Sequence, residues 1–179
     1  MTRIIAGSAR GRRLAAPRGT GTRPTSDKVR GAVFNLLGQF FEGGAVLDLY
    51  AGTGALALEA LSRGCARATC VEEDRGAAES ARANAEACGF ADRVEIVRGR
   101  VAEAVPRLAP ASFDLAFVDP PYEEGPEAAL ELLARVLAPG GRVVAEHDSR
   151  RPPADRYGAL ALADRRRYGG TGVSIYLRE

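Results

Sequence analysis

From Ala45 to the end of the chain, short apolar segments alternate with longer segments in which apolar residues recur every three or four positions. Short apolar runs predict buried strands, and the longer spacing predicts helices. Their alternation with short connections predicts a mostly parallel sheet with helices on both faces. The predicted strands are 46–49, 68–71, 94–97, 113–118 and 142–146, with a final pair at 160–163 and 172–177 around a basic turn at 165–167. The predicted helices follow Gly54 and span 75–87, 101–108 and 126–137.

The first 44 residues depart from this alternation. Residues 3–7 and 11–14 have the pattern of two short strands, and 17–24 form a predicted loop rich in glycine, proline and threonine. Thr25 or Ser26 can cap a helix that ends near 38–44. We therefore divide the chain into a small N-terminal extension, 1–44, and a main α/β domain, 45–179.

Basic side chains are concentrated in the N-terminal extension. Residues 1–30 hold eight basic and one acidic residue, a net charge of +7, whereas the remainder holds 17 basic and 22 acidic residues, a net charge of −5. Such an asymmetry is typical of a nucleic-acid contact, because cationic side chains neutralise phosphates. A solvated basic face is the alternative interpretation. The candidate RNA contacts are Arg10, Arg12, Arg13, Arg23, Lys28 and Arg30.

Composition excludes several classes of protein. No apolar run approaches the ~20 residues that span a membrane, and Met1 is not followed by the pattern of a signal peptide. We therefore expect a cytoplasmic protein with no membrane partner. The three cysteines lack the spacing of metal ligands, so we predict no metal site. We also expect a monomer.

A glycine-containing turn, Tyr50-Ala51-Gly52-Thr53-Gly54, follows the first strand of the main domain. Open α/β sheets bind ligands at the carboxyl ends of their strands, and glycines let a ligand approach the backbone. Glu72 ends the second strand, 20 residues beyond Gly52, where a carboxylate can accept both hydroxyls of a ribose. Tyr50 lies beside the turn and is a candidate lining residue of the same pocket.

Nicotinamide-binding folds use a similar glycine turn and a similar acidic residue. Asp48 favours a different cofactor, because a carboxylate before the glycines repels a pyrophosphate but suits the ammonium and sulfonium charges of S-adenosylmethionine. We therefore predict S-adenosylmethionine, with a nicotinamide-dependent oxidoreductase as the alternative. The predicted cofactor-binding residues at this point are Asp48, Tyr50, Gly52, Gly54 and Glu72.

The fourth strand ends in the motif Asp119-Pro120-Pro121-Tyr122. Prolines carry no N–H, so the local backbone is poor in donors, while the Asp119 carboxylate and the Pro120 carbonyl remain as acceptors. These acceptors suit a planar group that bears an amine, on which Tyr122 can stack. A proline turn after a core strand, with Tyr122 as a packing residue, is the other interpretation that these four residues allow.

Together these motifs resemble the class I methyltransferases that modify exocyclic amines. The segments 3–7, 11–14 and especially 23–35, Arg-Pro-Thr-Ser-Asp-Lys-Val-Arg-Gly-Ala-Val-Phe-Asn, resemble the bacterial RsmD family of small-subunit ribosomal RNA guanine-N2 methyltransferases. The resemblance implies a Rossmann-like, seven-stranded, mostly parallel sheet with an antiparallel last strand, and an extension that helps hold RNA. It implies methyl transfer to the N2 amine of a guanine in 16S ribosomal RNA or in the assembling small subunit, with Asp119, Pro120 and Tyr122 as catalytic residues.

One position departs from the pattern of class I relatives. Many of them place an Asp or Asn after the third strand to hold the adenine amine, whereas this chain aligns Arg100 there. Arginine has no acceptor, so either a neighbouring backbone group contacts the adenine or the alignment shifts by one or two residues. Arg100 is a candidate cofactor-binding residue on this alignment alone.

Two further functions share parts of the pattern. One is methyl transfer to a different planar amine, in DNA adenine or cytosine or in a protein glutamine, although no DNA target-recognition domain fits in the remaining length. The other is a non-catalytic RNA-binding factor of ribosome assembly, which the intact Asp48, Glu72 and Asp119 argue against. His147 is the only histidine, and we predict a structural role for it because a methylated amine can lose its proton to water.

Overall fold

A computed structural model of the chain describes residues 2–16, 27–121 and 123–179, and its largest element is one twisted sheet. The strands are β1 (Thr2–Arg3), β2 (Arg13–Leu14), β3 (Ala45–Leu49), β4 (Arg67–Glu72), β5 (Val94–Arg98), β6 (Phe113–Val118), β7 (Leu137–Asp148), β8 (Arg156–Tyr157), β9 (Leu160–Tyr168) and β10 (Thr171–Arg178). The helices are α1 (Asp27–Leu37), α2 (Ala55–Ser62), α3 (Arg75–Ala87), α4 (Val101–Ala104) and α5 (Glu127–Val136), with short 3-10 turns at Ala91–Arg93 and Val105–Arg107.

The strand order of the large sheet is β5-β4-β3-β6-β7-β10-β9-β8. Strands β3 to β7 pair in parallel, and β10 runs antiparallel between β7 and β9. This topology confirms the predicted fold class and the antiparallel last strand. The two-residue β8 adds a short edge strand to the seven that the resemblance implies.

Neighbouring residues of the central strands face opposite layers, because side chains alternate along a strand. Val46 belongs to a first hydrophobic cluster, which includes residues of α1, α2 and α3, and Leu47 belongs to a second, which includes residues of α4 and α5. On β6, Phe117 belongs to the first cluster and Val118 belongs to the second. Helices therefore cover both faces of the sheet, as the alternation of strands and helices in the sequence predicts.

Two strands, β7 and β9, are longer than the sequence predicts by five residues or more. β7 begins at Leu137, before the predicted start of the strand, because Leu137 already pairs with Phe113 of β6. β9 continues to Tyr168 through residues 165–167, which the sequence predicts as a turn. The chain turns instead just after Tyr168, where Gly169 has a φ of 63°, a conformation that glycine adopts without steric cost.

Helix α1 runs antiparallel to the central strands. A guanidinium nitrogen of Arg142 on β7 donates to the carbonyl oxygen of Leu37, the last residue of α1 (3.1 Å). An eleven-residue helix is about 16 Å long, so its first turn, at Asp27, lies toward the carboxyl ends of the strands. The predicted capping residues Thr25 and Ser26 and the predicted loop 17–24 lie outside the described residues.

The described part of the N-terminal extension packs against α2. β1 and β2 form an antiparallel pair of two residues each, shorter than the predicted strands. The Ser8 N–H donates to the Ser62 carbonyl oxygen (2.8 Å), and the Ala9 N–H donates to the Ser62 hydroxyl (2.9 Å). Ile4 and Leu14 are buried in the first cluster. The extension therefore shares its hydrophobic core with the sheet.

We expect Gly7→Ala to destabilise the fold more than Gly11→Ala. Both glycines have a positive φ, 84° and 85°, so alanine at either position costs about 1–2 kcal/mol of backbone strain. A Cβ on Gly7 would also lie 1.7 Å from the Ser62 carbonyl oxygen, whereas a Cβ on Gly11 would have no atom within 4 Å. Urea denaturation measures the two free energies of unfolding. Values that agree within about 0.5 kcal/mol would contradict the close packing at Gly7.

Candidate active site

The predicted site residues of the main domain meet at one edge of the sheet. β3 ends beside the turn 50–54, β4 ends at Glu72, β5 leads to Arg100, and β6 leads to Asp119. Since these strands are parallel neighbours, their carboxyl ends lie side by side. Ligands of open α/β sheets bind at this edge.

The turn between β3 and α2 leaves room for a ligand. Tyr50, Gly52 and Gly54 have positive φ values of 60°, 55° and 76°. A Cβ on Gly52 would meet no atom within 4 Å, so the backbone is open on that side, whereas a Cβ on Gly54 would lie 3.4 Å from that of Ala81 on α3. Tyr50 carries a side chain in a conformation that favours glycine, and such strain is concentrated at functional sites.

Asp48 is buried beneath this turn, with 1% of its surface exposed. Its carboxylate accepts the Ala57 N–H of the first turn of α2 (3.0 Å), so a side chain of β3 satisfies an amide that the helix itself leaves without a partner. Burial raises the pKa of Asp48 to about 7, the Ala57 hydrogen bond opposes this shift, and the charges of Asp119 and Glu72 add to it. Asp48 therefore changes charge near neutral pH.

The Glu72 carboxylate spans the same turn. One oxygen accepts the Gly52 N–H (2.7 Å), and the other accepts the Asp74 N–H (2.8 Å). Each carboxylate oxygen has a second lone pair, so Glu72 can still accept a ligand hydroxyl. The structure thus places the three acids Asp48, Glu72 and Asp119 close enough for their charges to interact.

A cavity of about 190 Å³ adjoins the turn on the side of α4 and α5. Tyr50, Glu73, Gly99 and Arg100 contribute to its lining, with apolar residues of α4 and α5. The Arg100 side chain is 74% exposed, and its guanidinium lies 4.0 Å from the Glu73 carboxylate. Arg100 therefore stands at the edge of the cavity, where it supplies no acceptor for an adenine amine.

A second cleft lies beside the proline motif. Asp119, Pro120 and Pro121 line it together with residues at the end of β7, among them Glu146 and His147. Tyr122 lies outside the described residues. Glu146 is not among the residues predicted from the sequence, although it ends the fifth predicted strand and ligands of such sheets bind at strand ends.

His147 is held by its neighbours on β7 and β10. Its ring nitrogens lie 2.9 Å from the Asp148 carbonyl oxygen and 2.9 Å from the Ser174 hydroxyl. Burial lowers the pKa of His147. A Cβ on Gly172 would lie 2.2 Å from the imidazole, so the ring fills the space that this glycine leaves. These contacts agree with the predicted structural role.

The predicted RNA-contacting residues differ in exposure. Arg10, Arg12, Arg13 and Lys28 are exposed, whereas Arg23 lies outside the described residues. Lys28 is in the first turn of α1 and therefore lies toward the carboxyl edge of the sheet. Four of the predicted contacts are thus available to a partner.

The prediction that Arg30 contacts RNA is wrong, because Arg30 is completely buried. Its guanidinium donates to the Arg3 carbonyl oxygen and to Asp27 (2.9 Å), and it lies 3.7 Å from Glu59. Arg63 also binds Glu59, at 2.7 Å. Arg30 therefore joins α1 to β1 and to α2 and is not available to RNA phosphates.

Glu59 is also not among the residues predicted from the sequence. It is completely buried on α2, where the other residues are small or apolar. A single charged residue in such a helix is the sequence feature that indicates a buried ion pair. Besides the two arginines, its carboxylate accepts the Ile5 N–H (2.8 Å) and the Ala6 N–H (3.0 Å).

Two kinds of structural feature are absent from the described ranges, 2–16, 27–121 and 123–179. No helix there is long and apolar enough to cross a membrane. No group of three or more His, Cys, Asp or Glu side chains in those ranges is arranged to hold a metal ion.

The sheet order, the glycine turn and the acidic strand ends define a class I S-adenosylmethionine-dependent methyltransferase fold. The chain matches, over residues 2–177, the protein family described as conserved hypothetical protein 95, and it belongs to that family. This match, together with the rRNA methyltransferases among the relatives described next, confirms the predicted RsmD family and S-adenosylmethionine as the cofactor.

Three similar proteins match between 69% and 99% of this chain. YlbH of Bacillus subtilis, a candidate rRNA methyltransferase, is 38% identical over 97% of this chain and 97% of its own length. The ribosomal RNA small subunit methyltransferase D of Escherichia coli is 39% identical over 69% of this chain and 61% of its own length. The solved structure of YhhF, a candidate methyltransferase of Escherichia coli, is 32% identical, has a TM-score of 0.86, and is matched over 99% of this chain and 98% of that one.

We expect Asp48→Asn to flatten the dependence of stability on pH. The pKa of Asp48 rises from 3.8 to about 7 on folding, so between these values the folded chain keeps a proton that the unfolded chain has lost. The free energy of unfolding of the wild type therefore falls as pH rises through this window, by up to about 4 kcal/mol. The asparagine oxygen still accepts the Ala57 N–H but does not titrate.

Urea denaturation of the cofactor-free wild type and variant at about pH 5 and about pH 8 measures this difference. Groups that do not interact with Asp48 contribute equally to both proteins and cancel in the comparison. The same pH dependence in wild type and variant would show that Asp48 does not titrate in this window.

Proposed function

We propose that this protein transfers a methyl group from S-adenosylmethionine to ribosomal RNA, and that the acceptor is the exocyclic N2 amine of a guanine in the small-subunit RNA. The observation that carries the proposal is the cleft at the end of β6, where Asp119, Pro120 and Pro121 lie beside the glycine turn. The relatives named as rRNA methyltransferases support RNA as the substrate. The resemblance of the N-terminal segments to the RsmD family supports guanine N2.

The residues at the edge of the sheet fit S-adenosylmethionine. The open backbone at Gly52 admits a ligand, and the Glu72 carboxylate beside it suits the ribose hydroxyls. Asp48 suits the ammonium and sulfonium charges, and a cation near it favours its ionised form. The cavity lined by Tyr50 and Arg100 suits the adenine, with Gly99 as a source of backbone groups.

S-adenosylmethionine supplies an electrophilic methyl group on a sulfonium sulfur, and its transfer breaks the S–CH₃ bond, forms an N–CH₃ bond and releases a proton from the amine. The N2 lone pair is delocalised into the guanine, so the amine is a weak nucleophile until it is oriented. The Asp119 carboxylate and the Pro120 carbonyl accept the N2 hydrogens and direct the lone pair, and Tyr122 stacks on the base.

Most of the rate enhancement is assigned to this positioning, with a smaller electrostatic contribution from Asp119 as positive charge develops on the amine. His147 is not used as a base, because its two ring nitrogens already contact Asp148 and Ser174 and burial lowers its pKa. The proton of the methylated amine passes to water.

The exposed basic residues of the extension would hold the RNA. Arg10, Arg12 and Arg13 are exposed around the β1–β2 pair, and Lys28 lies toward the edge that carries the cleft. Phosphate contacts of this kind give affinity without base specificity. In this proposal the N-terminal extension, 1–44, contacts RNA and the main domain, 45–179, catalyses the methyl transfer. The protein acts as a monomer in the cytoplasm, on free RNA or on the assembling subunit.

The direct test is methyl transfer to RNA. Purified protein and radiolabelled S-adenosylmethionine are added to total RNA from a strain that lacks the gene, and the methylated nucleoside is identified by mass after digestion. The expected product is N2-methylguanosine in the small-subunit RNA. A methylated adenosine or cytidine, or no incorporation into free RNA or isolated small subunits, would overturn the proposal.

We expect Asp119→Ala to lower turnover about a hundredfold at saturating cofactor, with the Kd for S-adenosylmethionine changed little. The reason is that Asp119 orients the amine and does not hold the cofactor. Glu72→Gln is the matched control, because it should weaken cofactor binding while turnover at saturating cofactor stays close to that of the wild type. Single-turnover kinetics and calorimetry measure the two effects, and near wild-type turnover of D119A would exclude the assigned role.

We expect Arg12→Ala to reduce the slope of log K against log salt for RNA binding by about one unit, because one phosphate contact is lost. Arg67→Ala is the control, since Arg67 is also exposed but begins β4, at the opposite edge of the sheet. Filter binding at several salt concentrations measures the slopes. If both variants keep the wild-type slope, Arg12 belongs to a solvated basic face.

A further inference from the structure

Three neighbouring strands each bring an acid to the same layer of the carboxyl edge. The acids are Asp48 on β3, Asp119 directly after β6 and Glu146 on β7. The residue two positions before each acid lies in the first cluster: Val46, Phe117 and Val144. Because side chains alternate along a strand, each acid faces the same side of the sheet as the cluster residue that precedes it. The effect of the Asp119 charge on the pKa of Asp48 agrees with this placement.

The pairing of β6 with β7 sets Glu146 beside Asp119. Val118 pairs with Ala145, so the next residue on each strand stands at the same level. Neighbouring strands are about 4.8 Å apart, which places the two carboxylates within reach of one planar base. Both residues line the cleft of the proline motif.

The Glu146 backbone is held by β10, since Glu146 pairs with Val173, and the preceding residue, Ala145, pairs with Val118 of β6. Glu146 as a whole is 8% exposed. A carboxylate this buried can discriminate strongly between ligand groups, because hydrogen bonds and repulsions are larger away from water.

We propose that Glu146 selects guanine by accepting its N1–H while the neighbouring N2 amine lies against Asp119 and Pro120. This assignment rests on the proposed function. Guanine carries two adjacent donors, N1–H and the N2 amine, on its Watson–Crick edge, and flipped bases are read on that edge. A carboxylate accepts only, so two acceptor groups on adjacent strands match these two donors.

The same carboxylate rejects the other amine-bearing bases. Adenine and cytosine carry a ring nitrogen with a lone pair next to the exocyclic amine, so that lone pair would face the Glu146 carboxylate. Two acceptors facing each other repel, and a site built to bind a donor discriminates against a ligand that lacks it. Asp119 and Pro120 recognise an amine, and Glu146 recognises which base bears it.

Asp148 provides a contrast within the same cleft. Its carboxylate is bound by Arg150, through the backbone N–H (2.9 Å) and two guanidinium nitrogens (3.2 and 2.9 Å). Arg150 thereby holds the pKa of Asp148 at about 2. Asp148 is therefore engaged in its own loop and is not assigned to the base.

The test compares guanine with 2,6-diaminopurine, which keeps the N2 amine, replaces the N1–H by a lone pair and carries an amine in place of O6. Each base is placed, in a synthetic small-subunit RNA segment, at the position that the wild type methylates, and kcat/KM is measured for both. The wild type should prefer guanine by about tenfold to hundredfold. Glu146→Gln should lower or reverse this ratio, because the amide can donate to the unprotonated N1.

Two controls separate a change of specificity from a loss of structure. Asp148→Asn removes a charge from the same cleft and should leave the guanine-to-diaminopurine ratio unchanged. Glu146→Asp keeps the charge and should keep the preference for guanine at a lower rate, even if Glu146→Gln folds poorly. Calorimetry with S-adenosylmethionine verifies that each variant retains the cofactor site.

The outcomes are distinct. If the wild type methylates guanine and Glu146→Gln keeps its base preference, or Glu146→Asp loses that preference, the assignment of Glu146 is wrong and the proposed function stands. If the wild type methylates no guanine in RNA, the proposed function is wrong and the assignment of Glu146 is overturned with it.

Discussion

The buried carboxylate of Glu59 is the interaction on which the position of the N-terminal extension depends. It lies on α2 in the centre of the first cluster and binds Arg63 of the same helix, Arg30 of α1 and the backbone amides of Ile5 and Ala6. Removing one member of such a buried network leaves an uncompensated charge, at a cost of about 3–5 kcal/mol. Three segments distant in sequence, 2–16, α1 and α2, are therefore fixed relative to one another through one side chain.

A second polar side chain joins the extension to the cofactor turn. Asn84 of α3 accepts the Ala15 N–H (2.8 Å) and donates to the carbonyl oxygens of Ala15 (2.9 Å) and Thr53 (3.0 Å). The end of the described extension and the glycine turn thus share one amide group. In the proposed function, RNA held by the extension and a methyl group held at the turn must meet within a fraction of an ångström, and the Glu59 and Asn84 contacts provide the necessary rigidity.

The order of strands and helices in the main domain followed from the sequence, because the apolar positions of each element must face a core and therefore repeat with the period of a strand or a helix. The exceptions have specific causes. β7 begins early because Leu137 finds a partner in Phe113, and β9 runs through residues 165–167 because the chain turns only after Tyr168, at a glycine with positive φ. Both depend on pairing with another strand, which the local pattern does not encode.

The sequence by itself determined the fold class, the family and the positions of Asp48, Glu72 and Asp119 at the ends of consecutive strands, because strand ends and turns are local features. Tertiary structure alone decided which charges are buried and which face the solvent. Arg30 and Lys28 are two residues apart, yet one is enclosed beside Glu59 and the other is exposed. It also decided that Glu146 stands beside Asp119, since the register between β6 and β7 is set by the packing of both strands against the helices. Burial and register depend on neighbours distant along the chain, so the sequence pattern of one segment does not contain them.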